Sequence, residues 1–474
     1  MPQRNDIGDN PTATLLEKFT VPRPSVGERM AAGKAIRDKF PREKQGEFRR
    51  HATRQDPVSI IEEQAKTRLP FLVPIRHSRM LASPFAFLRG SAAVMAADLA
   101  HTPTTGMTVQ ACGDMHVANF GVFASAERTL VFGINDFDET LPGPWEWDLK
   151  RLAASAVVCG RFLGADRVLR EESARAVVKS YRKRMREYAE MSYLDVWYAR
   201  IDENDVLNAQ PSPVGQKRAK QTMAKAKKRG HLQVLDKMAE LVGNQQRIIE
   251  IRPFIVRETQ TEVGRPIEEA LGKFLEDYFH SLPDDRKVIL ARYRILDVAR
   301  KVVGVGSVGT RCWVVLMQGN GIDDPLFLQV KQAEASVLAP YAGATNYANN
   351  GQRVVMGQRT IQGAPDIFLG WGQVDGGQFY VRQLRDMKGG AELDPKTTDV
   401  KGLPHYGALC GWALALAHAK SGDPAMLAGY LGKSAVMDEA IARFAQSYAD
   451  QTERDHAALA AAARQGRIPV ATES

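Results

Sequence analysis

The chain has 474 residues, of which 44% are hydrophobic and 25% are charged, and this is ordinary for a soluble globular protein that folds by packing alone. The length allows two or three domains. The formal net charge of +9 suits an anionic ligand, but the basic residues are spread along the chain, so we do not expect a nucleic-acid partner.

The four cysteines neither cluster nor follow a metal-binding spacing. Cys112, Cys159, Cys312 and Cys410 lie far apart, which argues against a zinc site and against a disulfide framework. No apolar segment is long enough to cross a bilayer, and the start of the chain lacks the apolar core of a signal peptide. We therefore expect a cytoplasmic protein without a membrane partner.

The first part of the chain predicts a loose arm followed by helices. Residues 1–25 are polar and contain prolines, which is typical of a flexible arm. Apolar residues at helical spacing follow this arm, and the pattern stops at Pro41. A second helix is predicted after Asp56, whose carboxylate can cap it, with Pro57 in the first turn.

Three arginines, Arg76, Arg79 and Arg89, lie among the apolar residues that come next. Arginine suits the geometry of a phosphate, but it is also a common partner in surface ion pairs. The sequence leaves these two roles equally open. A helix over about 90–101 then leads to the following segment.

The segment from Cys112 to Asp148 carries the densest set of candidate functional residues. Asp114, His116 and Asn119 lie in a short loop that is flanked by glycines. An apolar stretch at 129–134, rich in β-branched and aromatic residues, predicts a strand after this loop.

Two further carboxylates, Asp136 and Asp138, follow that strand directly. A hairpin would bring them beside the 114–119 loop, where several oxygen atoms can converge on one hard cation. With no close cysteine or second histidine, the pattern favours Mg²⁺ or Mn²⁺ over zinc. Asp and Asn are also common in ordinary turns, so a plain loop is the alternative interpretation.

Helices are predicted for most of the chain between this segment and residue 298. The first has Asp148 in its opening turn, where the carboxylate can cap the helix or anchor the preceding loop. Others are predicted over about 170–191 and 265–298. Between them, the basic run at 216–231 is typical of a solvated helix face, and contact with an acidic partner or with nucleic acid is the alternative.

A second informative region begins near residue 296. Gly304, Gly306 and Gly309 spell GxGxxG, but a strand-like segment follows, which does not fit a dinucleotide-binding unit. The context fits a loop that covers phosphates between two antiparallel strands, with Lys331 at the end of a third strand reaching those phosphates. A lysine at a strand end can also be a solvated edge residue.

The same lobe is predicted to continue to about residue 390. A helix at 349–362 precedes two strands that are joined by the turn at 375–377. Three strands, a helix and two strands make a small antiparallel lobe. Two further helices are predicted over about 405–420 and 433–464.

These motifs resemble those of two families. GDMHVAN with NDFD is similar to the catalytic and metal-binding loops of aminoglycoside phosphotransferases and choline kinases, and GVGSVG with LQVK is similar to their small lobe. In those enzymes the small lobe comes first, whereas here it follows the catalytic loops. The chain also resembles the bacterial domain of unknown function 2252 family, in SPFAFLRG, CGDMHVANFG, NDFDETLPGPWEWDLKRLAAS, GVGSVGTR and VRQLRDMKG.

The kinase resemblance implies an α+β, two-lobed, protein-kinase-like fold that is circularly permuted. A small antiparallel β lobe would come late in the chain, and a mostly helical large lobe would be built from both chain ends. The implied domains are a flexible arm (1–25), the large lobe with the catalytic and metal-binding loops (26–200), a helical insertion with the basic run (201–290), the small nucleotide-binding lobe (291–390) and C-terminal helices that complete the large lobe (391–474).

The kinase resemblance also implies ATP and Mg²⁺ or Mn²⁺ as cofactors and roles for named residues. Asp114 would orient or deprotonate an acceptor hydroxyl. His116 would either tie its loop by hydrogen bonds or take part in the chemistry. Asn119 and Asp136 would hold the metal, with Asp138 as a second-metal or outer ligand.

The implied nucleotide-binding residues lie in the small lobe. The helix at 349–362 has no glutamate to pair with Lys331, which leaves Glu334 as a weak substitute. The full set of implied cofactor-binding residues is Gly304, Gly306, Ser307, Gly309, Lys331, Glu334, Arg382, Gln383 and Leu384.

The leading hypothesis is an ATP-dependent phosphotransferase that transfers the γ-phosphoryl group to a hydroxyl of an unknown small molecule or protein. A nucleotide-binding pseudokinase and an AMP transferase that uses the same cleft are the alternatives. A metallophosphoesterase is disfavoured, because the nine histidines do not supply the ligands of a dinuclear site. No motif predicts the acceptor or the oligomeric state.

Overall fold

The computed structural model describes residues 15–210, 213–228, 231–243, 245–302, 304–384 and 387–471. Residues 1–14 of the predicted N-terminal arm lie outside the described residues. The helices are α1 (Leu15–Thr20), α2 (Val26–Lys39), α3 (Pro57–Ala65), α4 (Val73–Leu81), α5 (Pro84–Gly90), α6 (Ala92–Leu99), α7 (Trp145–Phe162), α8 (Arg167–Glu190), α9 (Tyr193–Tyr198), α10 (Glu203–Asn208), α11 (Pro213–Lys228), α12 (His231–Met238), α13 (Ile267–Ser281), α14 (Asp284–Leu290), α15 (Ala339–Ala342), α16 (Asn350–Ile361), α17 (Leu403–Ser421), α18 (Pro424–Leu431) and α19 (Val436–Arg464). The strands are β1 (Thr108–Ala111), β2 (Phe120–Ala124), β3 (Leu130–Ile134), β4 (Leu141–Pro144), β5 (Ile201–Asp202), β6 (Ala239–Val242), β7 (Gln245–Ile248), β8 (Ile255–Val256), β9 (Arg294–Lys301), β10 (Cys312–Gln318), β11 (Pro325–Gln332), β12 (Gly370–Val374), β13 (Gly377–Gln383) and β14 (Gly389–Gly390).

These elements form an α+β protein with one large antiparallel sheet. Its six strands lie in the order β12-β13-β11-β10-β9-β8, and each neighbouring pair is antiparallel. A second sheet has the order β14-β2-β3-β5, and β1 with β4 and β6 with β7 form two-stranded pairs. None of the described helices combines the length and the apolar character needed to span a membrane.

The helical body is built from early and late parts of the chain. Helix α17 packs along α8, α19 packs on α7, and α18 packs on α2. Within this core, the fully buried rings of Trp145 and Tyr181 stack with their centroids 5.9 Å apart. Burial of each large side chain contributes roughly 2–3 kcal/mol. One hydrophobic core therefore holds both ends of the sequence together.

Helix boundaries follow the capping residues. The Asp56 side chain accepts a hydrogen bond from the backbone N–H of Ser59 (3.0 Å), and Pro57 occupies the first turn of α3. This confirms the predicted cap. Helix α17 ends before Gly422, which also agrees with the sequence pattern.

The small lobe has the predicted order of strands and helix. Strands β9 and β10 are antiparallel neighbours joined by the glycine loop, and α16 covers most of the predicted 349–362 helix. Strand β11 lies between β10 and β13. The strand that ends near Lys331 is therefore central in the sheet, which excludes the interpretation of this lysine as an edge residue.

The predicted helical insertion, residues 201–290, is only partly helical. It contains α10 to α14, but also β5 to β8, and β8 extends the large sheet beside β9. Helix α13 buries Phe274 and Tyr278 in the same hydrophobic cluster as Val330 of the sheet. The second half of the insertion thus packs as part of the small lobe, because its apolar residues complete the core of that lobe.

The basic run at 216–231 lies largely in helix α11. Met223 and Ala226 are buried on the inner side of this helix, and Lys227 pairs with Glu203 at 2.7 Å. An amphipathic helix with an exposed basic side agrees with the interpretation of a solvated helix face.

Candidate active site

A polar cavity of about 320 Å³ is lined by residues of both the small lobe and the helical body. We call it the site cavity. It is lined by ten of the residues that the sequence predicted for the site, namely Asp114, His116, Asn119, Asp136, Asp138, Gly304, Gly306, Ser307, Lys331 and Arg382. Loops and strands from distant parts of the chain therefore meet at one place.

Lys331 joins the two halves of the site. Its ammonium donates a hydrogen bond to Asp138 Oδ2 and lies 3.6 Å from Asp136 Oδ2. The lysine side chain is 2% exposed, and burial alone would lower its pKa. The two carboxylates outweigh burial and raise the pKa of Lys331, so the lysine is charged.

Asp138 receives several hydrogen bonds in this site. Besides Lys331, the Tyr380 hydroxyl donates to Asp138 Oδ1 (2.6 Å) and the Ser307 hydroxyl to Oδ2 (3.2 Å). Burial and the charge of Asp138 raise the pKa of Tyr380, so the phenol remains a proton donor. The hydrogen bond from Ser307 brings the glycine loop into direct contact with Asp138.

Asp136 keeps one oxygen atom without a partner. Its Oδ1 is buried and makes no hydrogen bond with a described residue. Burial would raise the pKa of Asp136, but the charges of Lys331, Arg382 and Lys388 lower it below its usual value. An ionised carboxylate oxygen that receives no hydrogen bond can bind a cation.

A buried carboxylate fixes the loop that carries Asp114. Asp148 is 1% exposed and accepts hydrogen bonds from the backbone N–H groups of Cys112 (2.6 Å) and Gly113 (2.9 Å). His418 Nε2 lies 3.3 Å from Asp148 Oδ2 on the other side. Of the two roles that the sequence left open for Asp148, the structure shows the anchoring of the loop.

Arg151 holds the carboxylate of Asp114. Arg151 Nε donates to Asp114 Oδ1 at 3.0 Å, Nη2 donates to the same oxygen, and Nη2 also donates to the Leu88 carbonyl at 2.8 Å. The other oxygen of Asp114, Oδ2, makes no hydrogen bond with a described residue, and the side chain is 25% exposed. Asp114 is therefore fixed in orientation with one oxygen atom available.

The His116 side chain makes no hydrogen bond with a described residue, so its predicted role in tying the loop is wrong. Its Nδ1 is buried without a partner, and Nε2 lies 3.7 Å from Asp114 Oδ2. The loop is instead held by Asp148 and by Ser155, whose hydroxyl oxygen accepts from the Val117 N–H at 3.0 Å. Burial lowers the pKa of His116 to about 4, so the ring is neutral at pH 7.

Asn119 links the two acidic loops. Its Nδ2 donates to the backbone carbonyls of Asp136 (3.1 Å) and Asp114 (3.4 Å). Among the described residues, no group of three or more Asp, Glu, His or Cys side chains is arranged to hold a metal ion. The oxygen atoms of Asn119, Asp136 and Asp138 are nevertheless donors of the type that Mg²⁺ prefers, and the unpartnered Asp136 Oδ1 fits a cation.

Glu334 is not the partner of Lys331, which corrects the sequence-based assignment. Its carboxylate accepts a hydrogen bond from the Thr67 hydroxyl at 3.1 Å, and Glu334 does not line the site cavity. Asp138 takes the pairing role because the loop after β3 reaches the end of β11.

Three other predicted nucleotide-binding residues also lie outside the site cavity. The Gly309 carbonyl accepts a hydrogen bond from the Leu69 N–H (2.8 Å), which attaches the glycine loop to the N-terminal helices. Leu384 packs in an apolar cluster beside β10 and β11. Gln383 lines a neighbouring cavity instead.

This second cavity has a volume of about 240 Å³ and adjoins the site cavity. Asn135, Arg382 and Lys388 line both. Its other walls combine apolar and amide side chains, among them Phe123, Leu326, Phe368, Gln358, Gln362 and Gln383. Gln358 Nε2 donates to Gln362 at 2.7 Å, whereas its buried Oε1 has no partner among the described residues, so one amide atom is available to a ligand.

The sequence interpretation missed Arg151, Tyr380 and Glu139. Arg151 lies three residues after Asp148 in α7, and this spacing places both on one side of the helix. Tyr380 and Arg382 are two positions apart in β13, so both side chains face the same side of the sheet. Glu139 follows Asp138 directly, and burial raises its pKa to about 7.

Comparison with known families gives one match. Residues 68–462 match the family described as "Uncharacterized protein conserved in bacteria (DUF2252)". The chain belongs to the DUF2252 family. The match spans every residue of the site cavity named above. Neither the search of curated proteins nor the search of solved structures found a match. The chemistry of this DUF2252 protein is therefore inferred from its residues.

Proposed function

We propose that this DUF2252 protein is an ATP-dependent phosphotransferase with a circularly permuted, kinase-like fold. One observation carries the proposal. The Lys331 ammonium pairs with Asp138, 193 positions earlier in the chain, and lies 3.6 Å from Asp136 Oδ2. A buried lysine, a glycine loop and two carboxylates in one cavity are parts that phosphoryl transfer needs.

The order of the elements supports the permuted fold. Strands β9 to β11, helix α16 and strands β12 and β13 follow one another as in the small lobe that the motifs resemble. The loops with Asp114 and Asp136 come before this lobe, and helices on both sides of it share one core. Joining the natural ends of a kinase-like chain and opening it within the large lobe would produce this order.

The two adjoining cavities provide separate surroundings for the two parts of ATP. The site cavity, with Lys331 and Arg382, suits the phosphates. The second cavity, with Phe123, Leu326 and the amide of Gln358, suits the nucleoside, because bases are held by apolar contact and a few amide hydrogen bonds. On binding, Lys331 exchanges part of its contact with Asp138 for a phosphate oxygen.

Asn119, Asp136 and Asp138 would hold Mg²⁺ or Mn²⁺, which neutralises phosphate charge when bound. In the transfer step, the acceptor hydroxyl oxygen forms a bond to the γ-phosphorus, and the bond from that phosphorus to the bridging oxygen of ADP breaks. The hydroxyl proton passes to Asp114 Oδ2, and ADP leaves with the electron pair of the broken bond. Arg151 keeps Asp114 in the orientation for this role.

A cytoplasmic location agrees with this function. All four cysteines are free thiols in the structure, which suits the reducing compartment in which ATP is made.

Nucleotide binding is the first test. Mg·ATP should raise the melting temperature of the wild-type protein by a few degrees, and Lys331→Met should abolish the shift. Lys287→Met is the matched control, because Lys287 also makes an ion pair in the small lobe but does not line either cavity. A wild-type protein that shows no shift with Mg·ATP would rule the proposal out.

Labelled ATP separates the alternatives. With a lysate metabolite pool and the protein as acceptors, label from the γ position but not from the α position should be transferred. Transfer of the α label would instead identify an AMP transferase. Binding without any transfer, unchanged by Asp114→Ala, would identify a pseudokinase, which the engagement of Asp114 by Arg151 and of Lys331 by Asp138 also permits.

A further inference from the structure

Three arginines from the N-terminal part of the chain, Arg68, Arg76 and Arg89, line the site cavity. We call them the arginine cluster. Each has at least one buried guanidinium N–H group without a hydrogen-bond partner among the described residues, namely Nε of Arg68, Nε and Nη1 of Arg76, and Nε of Arg89. Arg76 is 0% exposed.

The arginine cluster has no counter-ion in the described part of the chain, where no carboxylate lies within ion-pair distance of any of the three. Other buried arginines of the protein do have one. Arg54 pairs with Asp98 and with Asp455, each at 2.6 Å, and Arg182 pairs with Asp438 at 2.7 Å. Unlike these two arginines, the members of the arginine cluster line a cavity and keep buried N–H groups without a partner among the described residues.

Burying unpaired like charges close together is unfavourable. Burial lowers the pKa of Arg76 well below its usual value, and the charge of Arg68 lowers it further. An isolated buried charge loses its hydration without compensation. An anion in the cavity would remove both penalties.

Two members of the cluster are held in place before any ligand binds. Arg76 Nη2 donates to the Gly90 carbonyl (2.8 Å) and to Gln64 Oε1 (3.1 Å), and Arg68 donates to the Val308 carbonyl. These bonds leave Nε of Arg68 and both Nε and Nη1 of Arg76 without a partner among the described residues. Such an arrangement is preorganised for an anion, because the side chains need not be ordered on binding.

The position of Arg89 points to the acceptor. Arg89 and Asp114 line the same cavity, and Arg151, which holds Asp114, also donates to the carbonyl of the residue before Arg89. The charge of Asp114 also raises the pKa of Arg89 against the lowering by burial. Lys331 and Arg382 lie on the strands of the small lobe and supply cations for the nucleotide phosphates.

We propose that the arginine cluster binds an anionic group, a phosphate or a carboxylate, on the acceptor substrate. The acceptor is then a small molecule that carries both the hydroxyl group to be phosphorylated and an anionic group. This assignment rests on the proposed function, because the anionic group belongs to the acceptor only if Asp114 orients the acceptor hydroxyl.

Calorimetric titration tests the proposal with inorganic phosphate as the probe, in the presence of saturating Mg·ADP. Phosphate should bind the wild-type protein, and Arg89→Gln should weaken that binding by about tenfold or more, because a charge-assisted contact is lost. The binding of Mg·ADP alone should stay within about twofold of the wild-type value for this variant. Arg76→Gln is the second variant, and its titration is interpreted only if circular dichroism shows that the variant folds.

Arg79→Gln is the matched control. Arg79 lies three residues after Arg76 in the same helix, over the ring of Phe254 and away from the site cavity, so both titrations should be unchanged.

Two results would overturn the assignment. Phosphate binding that is absent, or that survives Arg89→Gln, would show that the cluster is not an anion site. Weaker binding of Mg·ATP with unchanged binding of Mg·ADP would show that the cluster holds the γ-phosphate of the nucleotide. If Mg·ADP fails to bind while phosphate binds through Arg89, the proposed function fails separately, because an anion site exists without a nucleotide site.

Discussion

The ammonium of Lys331 donates a hydrogen bond to the carboxylate of Asp138, a residue 193 positions earlier in the chain. In this arrangement the lysine charge is neutralised inside the protein, and Asp138 also accepts from the Tyr380 hydroxyl. A nucleotide that bound as we propose would therefore have to compete with a carboxylate for the lysine. The Lys331–Asp138 pair holds the two halves of the site together, and a ligand that binds Lys331 must offset the free energy of weakening this pair.

The first prediction concerns this pair. Lys331→Met should lower the free energy of unfolding by about 2–4 kcal/mol, because the Asp138 carboxylate loses its buried partner. In a double-mutant cycle with Asp138→Asn, the coupling energy should be about 1–3 kcal/mol, measured by urea unfolding. The exposed pair of Lys227 with Glu203 serves as the control and should couple by less than about 1 kcal/mol. Additive effects at Lys331 and Asp138 would show that they do not interact.

The second prediction concerns the anchor of the loop that carries Asp114. Asp148→Asn leaves one acceptor oxygen for two N–H groups, those of Cys112 and Gly113, and should destabilise the protein by about 2–4 kcal/mol. The control is Asp166→Asn at the start of α8, where asparagine caps equally well, so the change should stay within about 0.5 kcal/mol. Equal stability of the two variants would contradict the anchoring role.

The third prediction uses two glycines with the same backbone conformation. Gly113 has φ +83°, and a Cβ there would lie 2.6 Å from the Glu139 carbonyl oxygen, whereas Gly164 has φ +78° and open space around it. Gly164→Ala should cost about 1–2 kcal/mol for the left-handed conformation alone. Gly113→Ala should cost about 3 kcal/mol or more because it adds the clash. Thermal unfolding of both variants measures the difference.

The fourth prediction concerns pH. Burial raises the pKa of Glu139 from 4.5 to about 7, so between these values the folded protein keeps a proton that the unfolded chain has lost. Stability from this group is therefore complete below pH 4.5 and falls as pH rises through 7, by up to about 3 kcal/mol. Glu139→Gln stays neutral, so the difference in stability between the variant and the wild type should grow in favour of the variant from pH 4.5 to pH 8. A difference that does not change with pH would show that Glu139 titrates normally.

Much of the local structure was predictable from the sequence. The strands around the glycine loop, the helix at 349–362 and the cap at Asp56 follow from β-branched runs, glycine spacing and side-chain hydrogen bonds within a few residues. The hairpin of β2 and β3 also forms as predicted and brings the loops with Asp114 and Asp136 together. Such features depend on residues that are close together in the chain, so they can be predicted from a single sequence.

Partners that are distant in the chain were not predictable in the same way. The sequence offered Glu334 for Lys331, but the packing of β11 against the loop after β3 selects Asp138. It left Arg76 and Arg89 equally open as ion-pair or anion-binding residues, and only their burial without a counter-ion separates the two roles.

The sequence by itself determined that this chain carries two acidic loops, a glycine loop and a lysine at a strand end, because a short run of residues defines each of them. Only the tertiary structure decided that these parts line one cavity, which carboxylate pairs with Lys331, and that the arginine cluster has no ion-pair partner among the described residues. The physical reason is that charge pairing and burial depend on distances across the folded core, and these distances are set by the packing of helices and strands that lie far apart in the chain.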